Sequence, residues 1–344
     1  MTQQTVAPPA DRVGYRDNSW QLTDMADKAT GFHALADALV ALTERGHPIV
    51  AGTADLKYSN GLVRYQQRYP ERFLQFGISE QNMVSAAAGL ATTGLIPYVA
   101  TFASFMSLLA VEQMRTDTAY TKQPVRMIGH HAGFALGFYG ASHHATEDIA
   151  ITRSMANMTV LAPADPAQLA ALVEASVDVD GPVYLRMGRG REPLVYDAAT
   201  AADVRIGRAV VHGFGSDVTL VATGTMVHPA LEAVRLLRDR GIDAGVVDMH
   251  TVKPLDVDAV LAAARASSLL VAVEEHNVVG GLGGAVAETL TEHGAAVRLV
   301  RHGVRDHYVP VGPPTHLYRH LGLDADGIAE RVVTALNGEG SDHG

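Results

Sequence analysis

The stretch FLQFGISEQNMVSAAAGLATTGLIPYVATF, residues 73–102, decides the fold class. An apolar run (Phe73–Phe76) leads through a glycine turn into a helix-length segment of small apolar residues (Gln81–Thr93), and a second apolar run (Pro97–Thr101) follows. A strand, a helix and a strand in this order are typical of a parallel β-α-β unit. The stretch therefore predicts an α/β protein with a parallel sheet.

The same alternation extends in both directions along the chain. It predicts further strands at Ile49–Gly52, Val125–Gly129, Thr159–Ala162 and Val183–Met187, and further helices at Gly31–Arg45, Ser104–Tyr120 and Pro166–Val177. A second set comprises strands at Val218–Thr223, Ala244–Asp248, Leu269–Glu274 and Val297–His302, and helices near Pro229–Arg240, Val257–Ala266, Gly284–His293 and Asp326–Ala335. We therefore predict two doubly wound, mostly parallel-sheet domains.

The segment REPLVYDAATAADVR, residues 191–205, separates the two sets because it contains a proline and shows no clear period. The predicted organisation is a flexible tail (1–20), a first domain (21–195), a linker (196–205), a second domain (206–338) and a flexible tail (339–344).

Composition excludes several classes of protein. The 344 residues are 47% hydrophobic and 19% charged, which excludes a disordered chain. A net charge of −10 argues against sequence-independent binding of nucleic acid. The absence of cysteine excludes disulfides, thiol catalysis and thiolate metal sites. No apolar signal segment opens the chain, so a cytoplasmic location is expected.

One uncharged stretch, Gln81–Val111, is long enough to cross a bilayer. Asn82, Gly94 and Pro97 divide it into helix, strand and helix, which favours buried elements of an α/β protein. We therefore expect no membrane partner.

Glu80 is the first candidate for a chemical role. It follows a predicted strand and a glycine turn and precedes a predicted helix, within apolar sequence. Burial there raises the pKa of a carboxyl, whereas a helix N-terminus lowers it. An ordinary helix-capping role for Ser79 or Glu80 fits the position equally well.

Two histidine pairs, His130-His131 and His143-His144, bracket a loop rich in glycine and aromatic residues. Zinc binding is one interpretation, because His144 and Glu147 have a spacing that one helix face allows. However, no HExxH or HxxEH motif is present, and hydrogen bonding to an oxygen-rich substrate or a structural role fits as well. We predict no metal ligands in this chain.

Three arginines, Arg186, Arg189 and Arg191, lie at the end of a predicted strand and in the loop after it. Arginine there suits a phosphate or carboxylate ligand, although a solvated loop charge is the alternative. The glycines around Gly280–Gly284 do not complete a GxGxxG motif, so we interpret them as a tight strand-to-helix turn. No GxSxG motif surrounds Ser104 or Ser107, and a hydrolase is not supported.

Five segments together resemble the transketolase family: GTADLKYSN (52–60), FGISEQNMVSAAAGLA (76–91), TFASF (101–105), GASHHATEDIAITRSMANMTVLAPAD (140–165) and GPVYLRMGR (181–189). Their order and spacing also match. The segments VDMHTVKPLD (247–256) and VAVEEHNVVGGLGGAVAE (271–288) resemble that family's C-terminal domain. The resemblance implies a thiamine diphosphate (ThDP) pyrimidine-binding domain followed by a transketolase C-terminal domain.

The resemblance also implies the chemistry, which is transfer of a two-carbon ketol unit from a ketose donor to an aldose-like acceptor. Glu80 matches the glutamate that hydrogen-bonds the aminopyrimidine of ThDP and activates the cofactor, so it is the implied catalytic residue. Phe102 and Phe105 match aromatic residues that pack on the pyrimidine. Leu108 stands where the family commonly has a third aromatic residue.

Substrate contacts carry over to Ser59, His131, His143 and Arg189, with Ser59 and Arg189 near the acceptor phosphate. Two positions depart from the family pattern. Tyr139 replaces an aspartate that reads the donor's hydroxyl configuration, and Asp27 replaces a phosphate-binding arginine. Because an acidic residue repels a phosphate dianion, we expect a non-phosphorylated or otherwise altered sugar-like substrate.

The chain contains no GDG motif, which in single-chain transketolases belongs to the domain that holds Mg²⁺ and the diphosphate. The resemblance therefore implies a subunit of a split transketolase, with the Mg²⁺ ligands on an N-terminal partner subunit and an α2β2 assembly. Three alternatives remain at this point: the β subunit of a 2-oxo acid dehydrogenase decarboxylating component, a deoxyxylulose phosphate synthase, and a non-catalytic scaffold paralogue.

Overall fold

The β-α-β unit predicted from residues 73–102 is present in the computed structural model, which describes residues 33–190, 192–201 and 203–338. The first strand is Phe73–Gln75, the helix is Glu80–Ala91 and the second strand is Ile96–Phe102. Gly77 makes the turn between strand and helix with φ +68°, a backbone conformation that glycine adopts without a steric cost. The helix begins three residues after this turn, at Glu80.

The first sheet has seven strands within the described residues, in the order β10-β5-β6-β4-β3-β1-β2. Their bounds are β1 Ile49–Thr53, β2 Phe73–Gln75, β3 Ile96–Phe102, β4 Arg126–His130, β5 Thr159–Leu161, β6 Val183–Arg186 and β10 Thr251–Lys253. All pairs are parallel except β10 with β5. The strands β1, β4 and β6 are buried throughout, as expected for a sheet covered on both faces.

The second sheet has the order β12-β11-β8-β9-β7. Its strands are β7 Val210–Gly213, β8 Val218–Ala222, β9 Ala244–Asp248, β11 Leu269–Asn277 and β12 Arg298–Val304. Only β7 pairs antiparallel among the described strands of this sheet. The prediction of an α/β fold with two mostly parallel sheets is confirmed.

The helices cover the faces of both sheets. Those of the first half are α1 Ala34–Glu44, α2 Val63–Arg68, α3 Glu80–Ala91, α4 Ala103–Leu109, α5 Val111–Gln113, α6 Asp148–Ser154, α7 Pro166–Ser176 and α8 Ala198–Ala201. Those of the second half are α9 Val227–Asp239, α10 Val257–Ala266, α11 Leu282–Glu292, α12 Pro314–His320 and α13 Ala325–Leu336. The predicted turn before α11 is also present, since the helix begins at Leu282 directly after the glycine pair.

One predicted helix, Ser104–Tyr120, is not continuous. The chain leaves helical geometry at Ala110, with φ −102° and ψ 15°, and a π-helical segment at Met114–Ala119 follows α5. Met106, Ala110 and Met114 are all fully buried despite the interruption. A pattern of apolar residues does not reveal such a break, because the same face is buried before and after it.

The two halves of the chain are joined by hydrogen-bonded backbone. The strand β10 comes from the second half of the chain but pairs with β5 at the edge of the first sheet. The amide of Ala162 donates to the carbonyl of His250 at 2.8 Å, which continues this pairing. In the predicted linker, the side chains of Tyr196 and Val204 are buried. The domain limits 21–195 and 206–338 stay predictions.

The uncharged stretch Gln81–Val111 forms α3, β3 and α4. Among the described residues, no helix combines the length and the apolar character that crossing a membrane requires.

Candidate functional site

The candidate site lies at the carboxyl ends of the parallel strands of the first sheet. The strands β2, β1, β3, β4 and β6 run in the same direction, so the residues that follow them gather at one edge. Ligands of open parallel sheets bind at this edge. Glu80 follows β2, Phe102 ends β3, His130 ends β4, and Arg189 lies in the loop after β6.

Glu80 is the first residue of α3, and its side chain is buried. Its Oε1 accepts a hydrogen bond from the hydroxyl of Thr101 at 3.2 Å, which brings the carboxyl to the end of β3. Ser79 makes no side-chain cap for α3. The partner of Glu80 among the described residues is therefore a strand side chain, and the arrangement differs from that of a helix cap.

Six rings form an aromatic cluster beside Thr101: Phe102, Phe105, His130, His131, Tyr139 and His143. The ring centroid of Phe102 lies 5.4 Å from that of Phe105, 4.9 Å from that of His130 and 5.3 Å from that of His131. The His143 ring lies 5.6 Å from Phe102 and 5.1 Å from Phe105. The fold thus brings four sequence-predicted residues together: Phe102, Phe105, His131 and His143.

His130 and His131 form a hydrogen-bonded pair inside the aromatic cluster. Their Nδ1 atoms are 2.7 Å apart, and both residues are buried. Burial alone lowers the pKa of His130 to about 3, so its ring is neutral at neutral pH. The backbone of His131 is left-handed, with φ +56°, a strained conformation for a residue with a side chain.

His143 lies at the outer side of the aromatic cluster. Burial lowers its pKa, and its Nδ1 lies 2.8 Å from the hydroxyl of Ser142. The half-exposed ring of Tyr139 lies over it, with centroids 4.6 Å apart and planes inclined by 31°. Because desolvation favours the uncharged form, the partly exposed His143 presents a neutral imidazole, which suits hydroxyl groups better than a phosphate dianion.

Arg189 lies in a loop that Glu192 organises. The carboxylate of Glu192 accepts hydrogen bonds from the backbone amides of Arg189, at 2.6 Å, and Gly190, at 2.9 Å. Burial raises the pKa of Glu192, while these amides act in the opposite direction. The amide of His131 donates to the carbonyl of Gly188 at 3.1 Å, which ties the loop to the aromatic cluster. The sequence analysis did not single out Glu192, because no sequence pattern distinguishes a carboxylate that organises a loop from one that is merely solvated in it.

Ser59 lies in the loop after β1 and is partly buried. Its amide donates to the carbonyl of Leu56 at 2.9 Å, and the side chain of the neighbouring Asn60 donates to the hydroxyl of Thr53 at 2.9 Å. Ser59 therefore belongs to an ordered strand-end loop, but the structure records no contact of it with the aromatic cluster among the described residues. Its assignment as a substrate contact stays a prediction.

Arg186 is neither a ligand site nor a solvated loop charge, the two interpretations that the sequence allowed. It is buried, and its Nε donates to Asp148 Oδ2 at 2.9 Å. Its Nη2 donates to the carbonyl oxygens of Ala145 and Glu275, at 3.1 Å and 2.9 Å. The guanidinium is thus held by the protein, at the interface between the two sheets.

The zinc interpretation finds no structural support. In the part of the chain that the structure describes, no three histidine, aspartate or glutamate residues are grouped so that they could hold a metal. His144 is buried, with its Nε2 3.4 Å from the carbonyl of Gly137 and its ring 5.6 Å from that of Phe134. Asp27 and Arg191 lie outside the described residues, and Leu108 is half-exposed next to α5.

The fold and the site define an α/β protein with two linked, mostly parallel sheets and a buried glutamate beside an aromatic cluster. The chain belongs to the transketolase family. The family profile "Transketolase, pyrimidine binding domain" matches residues 27–193, and "Transketolase, C-terminal domain" matches residues 207–328. The resemblance inferred from the sequence motifs is confirmed.

Relatives of similar length are named as single subunits of transketolases. The chain is 37% identical over 300 residues to an apulose-4-phosphate transketolase subunit of Phocaeicola vulgatus, covering 87% of this chain and 95% of that one. It is 39% identical over 292 residues to a 6-deoxy-6-sulfo-D-fructose transketolase subunit of a Clostridium species, covering 85% and 90%. A solved structure described as a split-gene transketolase, inactive β4 tetramer, is 41% identical with a TM-score of 0.81, covering 89% and 97%.

Proposed function

We propose that this chain is the pyrimidine-binding subunit of a split, ThDP-dependent transketolase that transfers a two-carbon ketol unit from a ketose donor to an aldose-like acceptor. The observation that carries the proposal is the buried carboxyl of Glu80, held by Thr101 next to the rings of Phe102 and Phe105. The similarity of the chain to two transketolase subunits and to a split-gene transketolase supports the same function.

The residues present fit the aminopyrimidine of ThDP. A buried carboxyl whose one described hydrogen-bond partner is Thr101 retains an oxygen for a ring nitrogen. The edge-to-face rings of Phe102 and Phe105 provide an apolar surface for a planar ring. When bound, ThDP supplies the electron sink that ketol transfer requires. Glu80 would hold a proton at its carboxyl for the pyrimidine nitrogen, and the two phenylalanines would exclude water from it.

The remaining assigned residues would bind substrate. His131 and His143 offer imidazole nitrogens to hydroxyl oxygens, and His143 is kept neutral by desolvation. Arg189 offers a cation on the loop that Glu192 organises, and Ser59 offers a hydroxyl on the loop after β1. Asp27 and Tyr139 support a non-phosphorylated or otherwise altered sugar-like substrate. A strong preference for phosphorylated over free ketoses in a turnover assay would contradict that part of the proposal.

The partner that we propose is an N-terminal transketolase subunit with a GDG motif, which would hold Mg²⁺ and the diphosphate in an α2β2 assembly. Native mass spectrometry of the complex captured from source cells on this chain tests this directly. A second subunit with that motif, together with bound ThDP, is the expected result. Self-assembly of the chain with neither partner nor cofactor would favour a scaffold instead.

A further inference from the structure

The loop that carries His143, residues 133–145, is closed at its base. Its end residues, Gly133 and Ala145, pair as an isolated antiparallel bridge. The amide of Gly133 donates to the carbonyl of Ala145 at 3.1 Å, and the reverse hydrogen bond measures 3.0 Å. Because His143 lies only two residues before Ala145, the place of its ring in the aromatic cluster depends on how this base is held.

Glu275, on β11 in the second half of the chain, contacts the base of the loop 133–145. Its Oε1 accepts a hydrogen bond from the buried backbone amide of Phe134 at 2.6 Å. The neighbouring Gly133 makes room for the carboxyl, since a Cβ at Gly133 would lie 1.9 Å from the carboxyl carbon of Glu275. A buried amide without an acceptor is costly, so Glu275 stabilises the loop in one position.

The carboxyl of Glu275 is itself fixed by other groups. The hydroxyl of Tyr318 donates to Oε1 at 2.5 Å, and that of Thr225 donates to Oε2 at 2.7 Å. Burial and the nearby Glu275 raise the pKa of Tyr318, so its phenol keeps the proton that it donates. Arg186 Nη1 lies 4.0 Å from Oε2. The carboxyl therefore presents Oε1 to Phe134 in a defined orientation.

Packing supports the same contact. The ring of Phe134 is fully buried in the hydrophobic core of the second half, with its centroid 5.9 Å from that of Tyr318. The amide of Gly312 donates to the carbonyl of Gly137 at 2.9 Å, and a Cβ at Gly137 would lie 2.3 Å from the carbonyl oxygen of Gly312. The second half of the chain thus packs closely against the loop 133–145.

We propose that Glu275 is a positioning residue for His143: by accepting from the amide of Phe134 it fixes the loop 133–145, and through that loop it sets the place of the His143 ring in the aromatic cluster. The second half of the chain thereby takes part in forming the candidate site. The effect on substrate rests on the proposed function, whereas the structural link between Glu275 and His143 does not.

Glu274, the preceding residue on β11, provides a matched control. It is also buried, and its carboxyl also accepts hydrogen bonds from backbone amides, those of Leu282 at 2.7 Å and Gly283 at 3.0 Å. Both amides belong to the first turn of α11, in the second half of the chain. The same substitution at the two glutamates therefore removes similar bonds, but only the one at Glu275 removes a bond to the loop 133–145.

Ring NMR of the histidines in the full chain tests the link without cofactor, partner or substrate, with His143→Gln identifying the His143 signals by their loss. In the unaltered chain we expect the pKa of His143 to lie below its ordinary value, because the ring is partly desolvated. Glu275→Met removes the acceptor for the amide of Phe134, so the ring should become more exposed and its pKa should rise. A folded Glu275→Met protein in which His143 titrates as in the unaltered chain would overturn the proposal.

The conservative variant Glu275→Gln separates the hydrogen bond from the charge. Its amide oxygen still accepts from Phe134, and its N–H group faces the hydroxyl of Thr225, which can accept it. The pKa of His143 should therefore stay low in Glu275→Gln. A rise equal to that in Glu275→Met would show that the charge of Glu275, and not its bond to the loop, holds His143.

Hydrogen exchange of the full chain distinguishes positioning from general stability. Glu275→Met should accelerate exchange in residues 133–145, whereas Glu274→Met should accelerate it in α11. Equal acceleration of both segments in both variants would contradict the positioning role. If Glu275→Met does not fold, the unaltered chain decides, since the amide of Phe134 should exchange slowly there and rapid exchange would overturn the proposal.

Kinetics of the reconstituted enzyme provide the functional readout. Glu275→Met should raise the KM for the ketose donor about tenfold, the effect of one lost substrate hydrogen bond, with a smaller change in kcat. Glu275→Gln and Glu274→Met should leave that KM nearly unchanged. If the NMR and exchange results are as expected but the reconstituted enzyme shows no ketol transfer, the proposed function fails and the link between Glu275 and His143 stands.

Discussion

Two groups of buried polar residues lie at the strand ends of the first sheet, and they are built differently. The aromatic cluster, in which burial keeps His130 neutral, lies beside a carboxyl, Glu80, whose described partner is a single hydroxyl. The interface cluster, defined as Asp148, Arg186 and Glu275, consists of opposite charges that bond to each other and to backbone. Glu275 also accepts from the amide of Phe134 at 2.6 Å.

The difference is visible in two arginines, one at the end of β6 and the other in the loop that follows it. Arg186 and Arg189 are three positions apart, yet Arg186 is enclosed by carboxylates and carbonyls while Arg189 is partly exposed beside the aromatic cluster. A charge buried in the interface stabilises the fold only while its partner remains. Polar groups with unfilled hydrogen-bonding capacity cost stability and are retained where a ligand completes them. We therefore expect opposite phenotypes from substitutions in the two clusters.

The substitution Glu80→Gln should have the largest effect, a loss of turnover in the enzyme reconstituted with its partner. The amide keeps the shape of the side chain and can still accept from Thr101, but it cannot hold the carboxyl proton. Turnover should fall by about 10²–10⁴-fold, the usual contribution of general acid–base catalysis. The thermal unfolding midpoint should change little. Unaltered turnover would show that Glu80 has no catalytic role.

The substitution Arg186→Met should have the next-largest effect, a loss of folding stability. Removal of the guanidinium leaves Asp148 buried without its cationic partner, which typically costs about 3–5 kcal/mol. Urea unfolding followed by circular dichroism should show a clearly lower midpoint. The double variant Arg186→Met/Asp148→Asn should be more stable than Arg186→Met alone, because the unpaired buried charge of Asp148 is removed, although Glu275 still lacks its ion pair with Arg186.

Arg235→Met is the matched control for Arg186→Met. Arg235 pairs with Glu232 one turn away on α9, at 2.5 Å, but its side chain is 73% exposed. Exposed pairs contribute about 0–1 kcal/mol, so the urea midpoint should hardly move. Equal losses from the two arginine variants would contradict the distinction between interface and surface charges.

The smallest expected effect concerns pH and Asp248, another buried carboxyl between the two halves of the chain. Gln168 and Tyr196 each donate to its Oδ2 at 2.6 Å, and burial raises its pKa to about 7. A raised folded pKa means that the unfolded chain releases this proton first, so stability falls as pH rises from about 4 to 7.

Asp248→Asn removes this titration. Relative to the unaltered chain, the stability of Asp248→Asn should therefore improve as pH rises from 5 to 7, by at most about 1.4 kcal/mol per pH unit. Urea unfolding at several pH values measures the difference. A stability difference that does not depend on pH would show that Asp248 is ionised throughout.

Much of the fold was predictable because local patterns encode it. The alternation of buried strands and amphipathic helices predicted both sheets, and Gly77 marked the turn before Glu80. The break at Ala110 was not predictable, since both sides of it bury the same face. The pairing of β10 with the first sheet depends on contacts between residues about 90 positions apart, which no local pattern records.

The sequence alone determined the family and the types of residue in the site. Glu80 follows a glycine turn, Phe102 and Phe105 follow a strand, and these motifs occur along the chain in the order that the family shows. Only the tertiary structure decided which groups are available. It separated Arg186, whose hydrogen bonds are satisfied by Asp148 and by backbone from both halves of the chain, from the loop of Arg189. It also revealed that Glu192 accepts hydrogen bonds from the backbone of that loop and that the Nδ1 atoms of His130 and His131 lie within hydrogen-bond distance. Hydrogen bonding and desolvation depend on three-dimensional proximity, and the linear sequence does not contain it.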